Sequence, residues 1–347
     1  MEATLREAGR RGDIIRSMEQ VVGERLSLQN VQDYSGEAAP TRLVGRVIGS
    51  GAADDAHDRR FLALEGTGGN QWHAEVNLAP GAMPSAGAIV ELSKAEGAPR
   101  KSDVTIAAIA ERHGGVYSGD LHADADPKSS ADYRLTHKRR LEALRRAGIV
   151  ERDPDGSWRI PADYLARAAE FERGQAGAQV RVLSWVSLEQ LPEARARTFL
   201  DEALEKRGNV DTVASGFGDD VKKAMAARRR WLMAEGLASE EGGRFVIDRK
   251  RLALMEREAL VAEGARLSKQ SGKSFGQAVE GERVAGIYRQ SVDLPAGRFA
   301  IVEKSKEFTL VPWRAALEAR AGMEISGVMR RGGVTWEFGK TRGGPAI

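Results

Sequence analysis

The sequence contains no cysteine among its 347 residues. Disulfides, thiolate metal sites and a cysteine nucleophile are therefore excluded, and a reducing cytoplasm is the expected compartment. Histidine is scarce as well: His57, His73, His113, His122 and His137 never stand at i,i+2 or i,i+4, so a metal cluster would need long-range assembly. Long apolar runs are missing. No segment approaches the roughly 18 apolar residues of a membrane-spanning helix. The N-terminal MEATLREAGRRGDIIRSMEQVV lacks the apolar core of a signal peptide.

Catalytic motifs are missing too. No G-x-S-x-G elbow and no H-E-x-x-H stretch occurs, and Gly66-Thr67-Gly68-Gly69 lacks the Lys-Ser/Thr ending of a phosphate-cradling loop. The acidic runs Asp54-Asp55 to Asp58 and Asp120, Asp124, Asp126 do not match a calcium loop and read as loop composition. Tyr34, Tyr117, Tyr133, Tyr164 and Tyr288 are scattered, with no histidine triad near any of them to hold a metal for strand cleavage. No catalytic, metal or cofactor residue is assigned.

What the chain does have is local positive charge. The net charge is only +3, but Arg134, Lys138, Arg139, Arg140, Arg145 and Arg146 share a stretch whose one acid is Glu142. Lys222, Lys223, Arg228, Arg229 and Arg230 share another that contains no acid. Such clusters create a positive field that a small net charge hides, although either one also reads as an ordinary solvated helix face.

Length and patterning divide the chain into an α+β, multidomain arrangement: two small β-barrel-like domains flanking two winged-helix-like units. Residues 1–31 hold an N-terminal helix. Residues 32–100 carry short strands at 43–48, 60–64, 71–76 and 88–92, a first small barrel. Residues 101–175 hold a helix from Asp103 with Ser102 or Asp103 as N-cap, a polar stretch from Gly114 to Ser130, and a basic helix stopped by Gly148. A hairpin around Asp153-Pro154-Asp155-Gly156 follows. Residues 176–271 repeat the layout: helix from Pro192 onward, basic helix stopped by Gly236, hairpin around Gly242-Gly243, and a further helix. Residues 272–347 return to strands, five of them from Arg283 to Phe338, with a short helix at 313–320.

A basic helix running through glycine into a hairpin is the local layout of a winged helix. Helix-turn-helix proteins place such a helix in the major groove. The candidate nucleic-acid contacts are Arg134, Lys138, Arg139, Arg140, Arg145 and Arg146 with Trp158 and Arg159 in the first unit, and Lys222, Lys223, Arg228, Arg229, Arg230 and Arg244 in the second. Trp158 beside Arg159 is the tryptophan best placed to stack on a base, although hairpin tryptophans more often fill small cores.

Three stretches carry a resemblance: GDIIRSMEQ, RRLEALRRAGIVERDPDGSWRIP, and RFAIVEKSKEFTLVPWRAALEARAGMEISGVMRRGGVTWEFGK. In that order they resemble the C-terminal region of bacterial conjugative relaxases, the mobilisation nucleases that nick DNA for transfer. Val311-Pro312-Trp313-Arg314 and Gly332-Gly333-Val334-Thr335-Trp336 are the most specific part. In that family an N-terminal nuclease domain nicks DNA with a tyrosine and a histidine-bound metal. Nothing in this chain matches that domain, so none of its catalytic residues carries over. The helical pattern already under way at Met1 fits a truncated gene, a downstream start or a split protein.

The resemblance implies a transfer-apparatus protein without its nickase. The expected partner is DNA, duplex or single-stranded, with no membrane. Docking to other relaxosome or secretion-channel proteins, through the strand-rich end and the basic tail Lys340-Thr341-Arg342, is an alternative. A winged-helix transcription regulator is another.

Overall fold

The computed structural model describes residues 12–19, 21, 31–36, 39–54, 59–94, 97–206 and 212–337. The expectations for the tail at 340–342, for His57, for Asp55 and Asp58, and for most of the first 24 residues fall outside them. The chain forms two compact units, one of Met1–Leu92 with Val180–Ile347 and one of Ser93–Gln179. It is a mixed α+β protein, and its helical module of residues 93–179 is inserted into a barrel.

That barrel is closed. Strands β1 (Val31–Asp33), β2 (Arg42–Asp54), β3 (Arg59–Gly66), β4 (Gln71–Val76), β5 (Ile89–Lys94) and β9 (Ala178–Ser184) form one sheet in the order β1-β4-β3-β2-β5-β9, and β9 pairs back to β4. The meander β2-β3-β4 is antiparallel. Alternate residues of a strand face opposite sides, yet Phe61, Leu62, Ala63 and Leu64 of β3 are all buried. Phe61 and Ala63 pack under Ile14 and Met18 of a helix over residues 12–19 (α1), while Leu62 and Leu64 fill the other side. The bare backbone at Gly49 permits this packing, because a Cβ there would come within 2.2 Å of Val21.

The closing strand β9 was not expected, and the pattern over residues 183–207 predicts helix from Pro192 onward. Among the described residues of that segment, helix is confined to Phe199–Glu205 (α6) and the 3-10 turn Leu188–Gln190. The sequence AQVRVLS at β9 alternates over too few residues to separate it from loop.

Within the inserted unit the order is α2 (Lys101–Arg112), β6 (Val116–Tyr117), α3 (Gly119–Ala125), α4 (Ala131–Arg146), β7 (Glu151–Arg152), β8 (Trp158–Arg159) and α5 (Tyr164–Ala176). The three short strands form one sheet in the order β6-β8-β7. Ile106, Tyr117, Leu141, Leu144, Trp158 and Tyr164 belong to its own core. The polar stretch 114–130 therefore holds β6 and α3. Asp and Gly hid the helix, which is capped by the Ser118 hydroxyl accepting from the Leu121 N–H.

The other unit continues after α6 with α7 (Gly216–Ala234), the hairpin β10 (Ala238–Glu241) and β11 (Arg244–Ile247), and α8 (Arg249–Ser271). Strands β12 (Ser274–Phe275), β13 (Arg283–Leu294), β14 (Gly297–Lys304), β15 (Glu307–Pro312), β16 (Glu324–Arg330) and β17 (Gly333–Glu337) then form a six-stranded sheet, ordered β12-β15-β14-β13-β16-β17. Among the described residues no helix is long and apolar enough to cross a membrane.

Candidate nucleic-acid interface

Both basic helices are seated by the same buried device. In α4, Arg140 donates Nε and Nη2 to the two carboxylate oxygens of Asp103 at 2.8 and 2.9 Å. Asp103 also accepts from the Tyr164 hydroxyl at 3.0 Å and from the backbone N–H of Arg100 at 2.9 Å, so it caps α2 from the third position of the helix. The expected N-cap, Ser102 or Asp103, is thus corrected to Arg100. In α7, Arg228 donates Nε and Nη2 to Asp201 at 2.7 and 3.0 Å, and Asp201 accepts from the Thr198 N–H at 2.7 Å at the start of α6.

One spacing of 88 residues relates the two modules. Arg140 and Arg228 correspond, as do the buried Leu144 and Leu232, and Gly148 and Gly236 with φ of 71° and 64°. Each glycine carbonyl then accepts from an arginine of the next helix: Arg167 at 2.6 Å on Gly148, Arg251 at 2.7 Å on Gly236. The repeat therefore extends to side-chain hydrogen bonds.

This device changes the role of two expected DNA contacts. Arg140 is 7% exposed and Arg228 is wholly buried. Burying a guanidinium is costly unless its donors are satisfied, and Arg228 also donates to the carbonyls of Ala194 (2.6 Å) and Ala196 (2.8 Å). Both arginines bind internal carboxylates where an external phosphate was expected. Trp158 is likewise buried in its unit's core, with the Arg152 guanidinium 5.4 Å from its ring centre, so it has no face open to a base.

The remaining candidates are exposed, except Arg134, which is half-buried. Some are paired with neighbouring acids: Arg145 to Glu142 at 2.8 Å, Arg146 to Glu142 at 3.7 Å, Arg159 to Asp153 at 2.9 Å, Lys223 to Asp219 at 2.8 Å, and Arg229 to Glu240. Arg134 bonds the Ser129 hydroxyl at 3.0 Å. Lys138, Arg139, Lys222, Arg230 and Arg244 are exposed and form no ion pair among the described residues. The hairpin tips are acidic, with Asp153 and Asp155 in one and Glu240 and Glu241 in the other. The exposed candidates without an acid partner lie on the helices, apart from Arg244 of the second hairpin.

The burial of Arg140 and Arg228 was missed, and one further arginine group was not singled out. A signal for the buried pair existed, because Arg140 and Arg228 each lie four positions before a core leucine, on the apolar stripe. The further group is Arg314, Arg330 and Arg331, where the two most specific stretches of the resemblance meet. Arg314 Nη2 donates to the Gly332 carbonyl at 2.8 Å.

Nucleophilic chemistry finds no support in the buried tyrosines. Burial pushes the Tyr34 phenol up to about 12 and raises those of Tyr117, Tyr164 and Tyr288, which disfavours the phenolate an attacking tyrosine needs. His122 and His137 meet edge to face with ring centres 4.8 Å apart, and His122 Nδ1 lies 2.7 Å from the Tyr117 hydroxyl. His73 stacks on Phe61 and His113 is exposed. Among the described residues no three His, Asp or Glu side chains group to hold a metal ion.

No curated protein matches the chain. Residues 1–345 match the family described as "Protein of unknown function (DUF3363)", and the chain belongs to that family.

Proposed function

We propose that the chain binds DNA through its two helix–hairpin modules, as an accessory of conjugative DNA transfer. The observation that carries this reading is the repeated seating of a basic helix. In each module a buried Arg–Asp pair fastens the helix inward while unpaired cations, Lys138 and Arg139 in one and Lys222 and Arg230 in the other, remain outside. The order α2-β6-α3-α4-β7-β8 in the inserted unit, with β8 between β6 and β7, is the layout expected of a winged helix with α4 as its groove-facing helix. The module around α7 is a second, abbreviated version. The sheet of β12–β17 is read as a second small barrel-like domain.

Exposed lysines and arginines supply affinity by displacing counterions from the phosphate backbone, so binding falls steeply with salt. The conjugative context rests on the resemblance to relaxase C-terminal regions, and no nicking role is proposed. The test is a titration of the full chain against duplex and single-stranded DNA at two salt concentrations. Binding near 50 mM salt that collapses by about 200 mM is expected. No binding to either form at the lower salt ends the reading.

A further inference from the structure

We propose that Arg314, Arg330 and Arg331 form a second nucleic-acid contact, a phosphate-binding cluster at the tip of the β16–β17 hairpin. The hairpin closes through Arg331 and Gly332, with Arg330 paired in register to Gly333. Arg314, just past the end of β15, reaches this tip, and its Nη2 donates to the Gly332 carbonyl at 2.8 Å. Gly333 has φ of 124°, and a Cβ there would meet Arg314 Nη2 at 3.4 Å and Pro312 at 3.6 Å. Glycine is needed for that backbone conformation, whereas those contacts are of ordinary length. One guanidinium is thereby held at a turn whose own residues, Arg330 and Arg331, bring two more.

The other arginines of this sheet are matched with acids, although Lys304 of β14 also stands exposed without one among the described residues. Arg283 pairs with Glu337, Lys273 and Arg289 with Glu303, and Arg298 with Asp293. Arg314, Arg330 and Arg331 are all exposed, and among the described residues none of them forms an ion pair. Like charges left together repel, and an incoming anion relieves that repulsion. Because the tether uses one of the five N–H groups of Arg314, its fork stays able to grip a phosphate or carboxylate through two bonds.

A nucleic acid fits better than an acidic peptide. The same compact unit exposes Lys222, Arg230 and Arg244 without ion pairs. A continuous polyanion can engage separate clusters on one body and gain counterion release at each, whereas a short acidic segment satisfies only one. For its partner the inference rests on the DNA-binding reading, but it does not depend on the helix–hairpin modules.

The experiment compares full-length wild type with R314A/R330A/R331A, and with the lysine triple R314K/R330K/R331K, on a 30-bp duplex, a 30-nucleotide single strand and polyaspartate. All three residues are exposed, and the urea midpoint of each variant checks the fold. For the alanine triple, the log–log salt slope on the duplex should fall by about 2 to 3, with affinity about tenfold weaker at 50 mM salt. The lysine triple should keep most of the slope, because the charge remains. Unchanged slope and affinity in the alanine triple overturn the inference, as does a loss confined to polyaspartate binding. If the alanine triple weakens binding while K138A/R139A/K222A/R230A does not, the cluster stands and the helix–hairpin reading falls. If wild type binds neither strand form, both fall.

Discussion

Arg228 and Asp201 form a two-bond ion pair, at 2.7 and 3.0 Å, with neither side chain more than 2% exposed. Arg140 and Asp103 repeat it in the inserted unit. A buried pair of this kind contributes little net stability compared with a well-packed apolar replacement, but it penalises any arrangement that leaves one partner unmatched. Here it joins the start of α2 to α4 and the start of α6 to α7, and so fastens each basic helix to a neighbouring one.

Breaking the pair one-sidedly should be costly. R228A or D201N is expected to destabilise the chain by about 3–5 kcal/mol, because an uncompensated buried charge or unsatisfied donors remain. Replacing both, R228M with D201L, should recover part of that loss. Recovery stays incomplete because the Ala194 and Ala196 carbonyls also lose a donor. Urea unfolding of the two single variants and the double variant measures the coupling.

Acid should loosen the inserted unit through Asp103. Burial alone would raise its carboxyl, but the hydrogen bonds and charge of Arg140, with the Arg100 N–H and the Tyr164 hydroxyl, hold it below the ordinary value. A carboxyl depressed on folding contributes stability that is present above its unfolded value near 3.9 and is lost as pH falls through the folded value. Hydrogen exchange of residues 93–179, corrected for intrinsic rates, should therefore lose protection below about pH 4. In D103N, already weaker at neutral pH, that additional step should be missing.

His122 acts at higher pH. Burial, then the neighbouring His137 and Arg134, lower its affinity for a proton, with Asp126 opposing them. The unfolded chain takes up this proton near pH 6.5 while the folded one resists it, so stability is full above about 6.5 and declines as pH falls. H122Q can keep a hydrogen bond to Tyr117 and cannot titrate. It should flatten the dependence of unit stability between about pH 6.5 and 5. An equally steep decline in H122Q would assign the effect to another group.

How much was legible depended on whether a pattern was local. The strands at 60–64, 71–76 and 297–302 followed from alternation and turn residues, and the basic helices from their Gly148 and Gly236 stops. The partner of Arg140 lies 37 residues away and that of Arg228 27 away. No charge count separates an arginine bonded to a distant aspartate from one facing water. For the same reason β9 was invisible: its role is to pair with β4 and β5, which precede the 87-residue insertion.

That insertion leads to a further expectation. Strands β5 and β9 are neighbours in the barrel, so the inserted unit leaves and returns at adjacent strands, and it carries its own core. Replacing residues 95–177 with a linker of about four glycine and serine residues should leave a barrel that unfolds cooperatively. The excised 93–179 should fold alone. A non-cooperative transition in either piece would mean that the two fold only together.

The most direct measurement is the salt dependence of duplex binding by wild type and by K138A/R139A/K222A/R230A. These four cations are exposed and unpaired, whereas Arg140 and Arg228 are not available to a ligand. The expected result is a steep wild-type log–log slope that falls by about 3 to 4 in the variant, with the urea midpoint unchanged. A slope equal to that of wild type would contradict the assignment of the two basic helices as the DNA-binding surface.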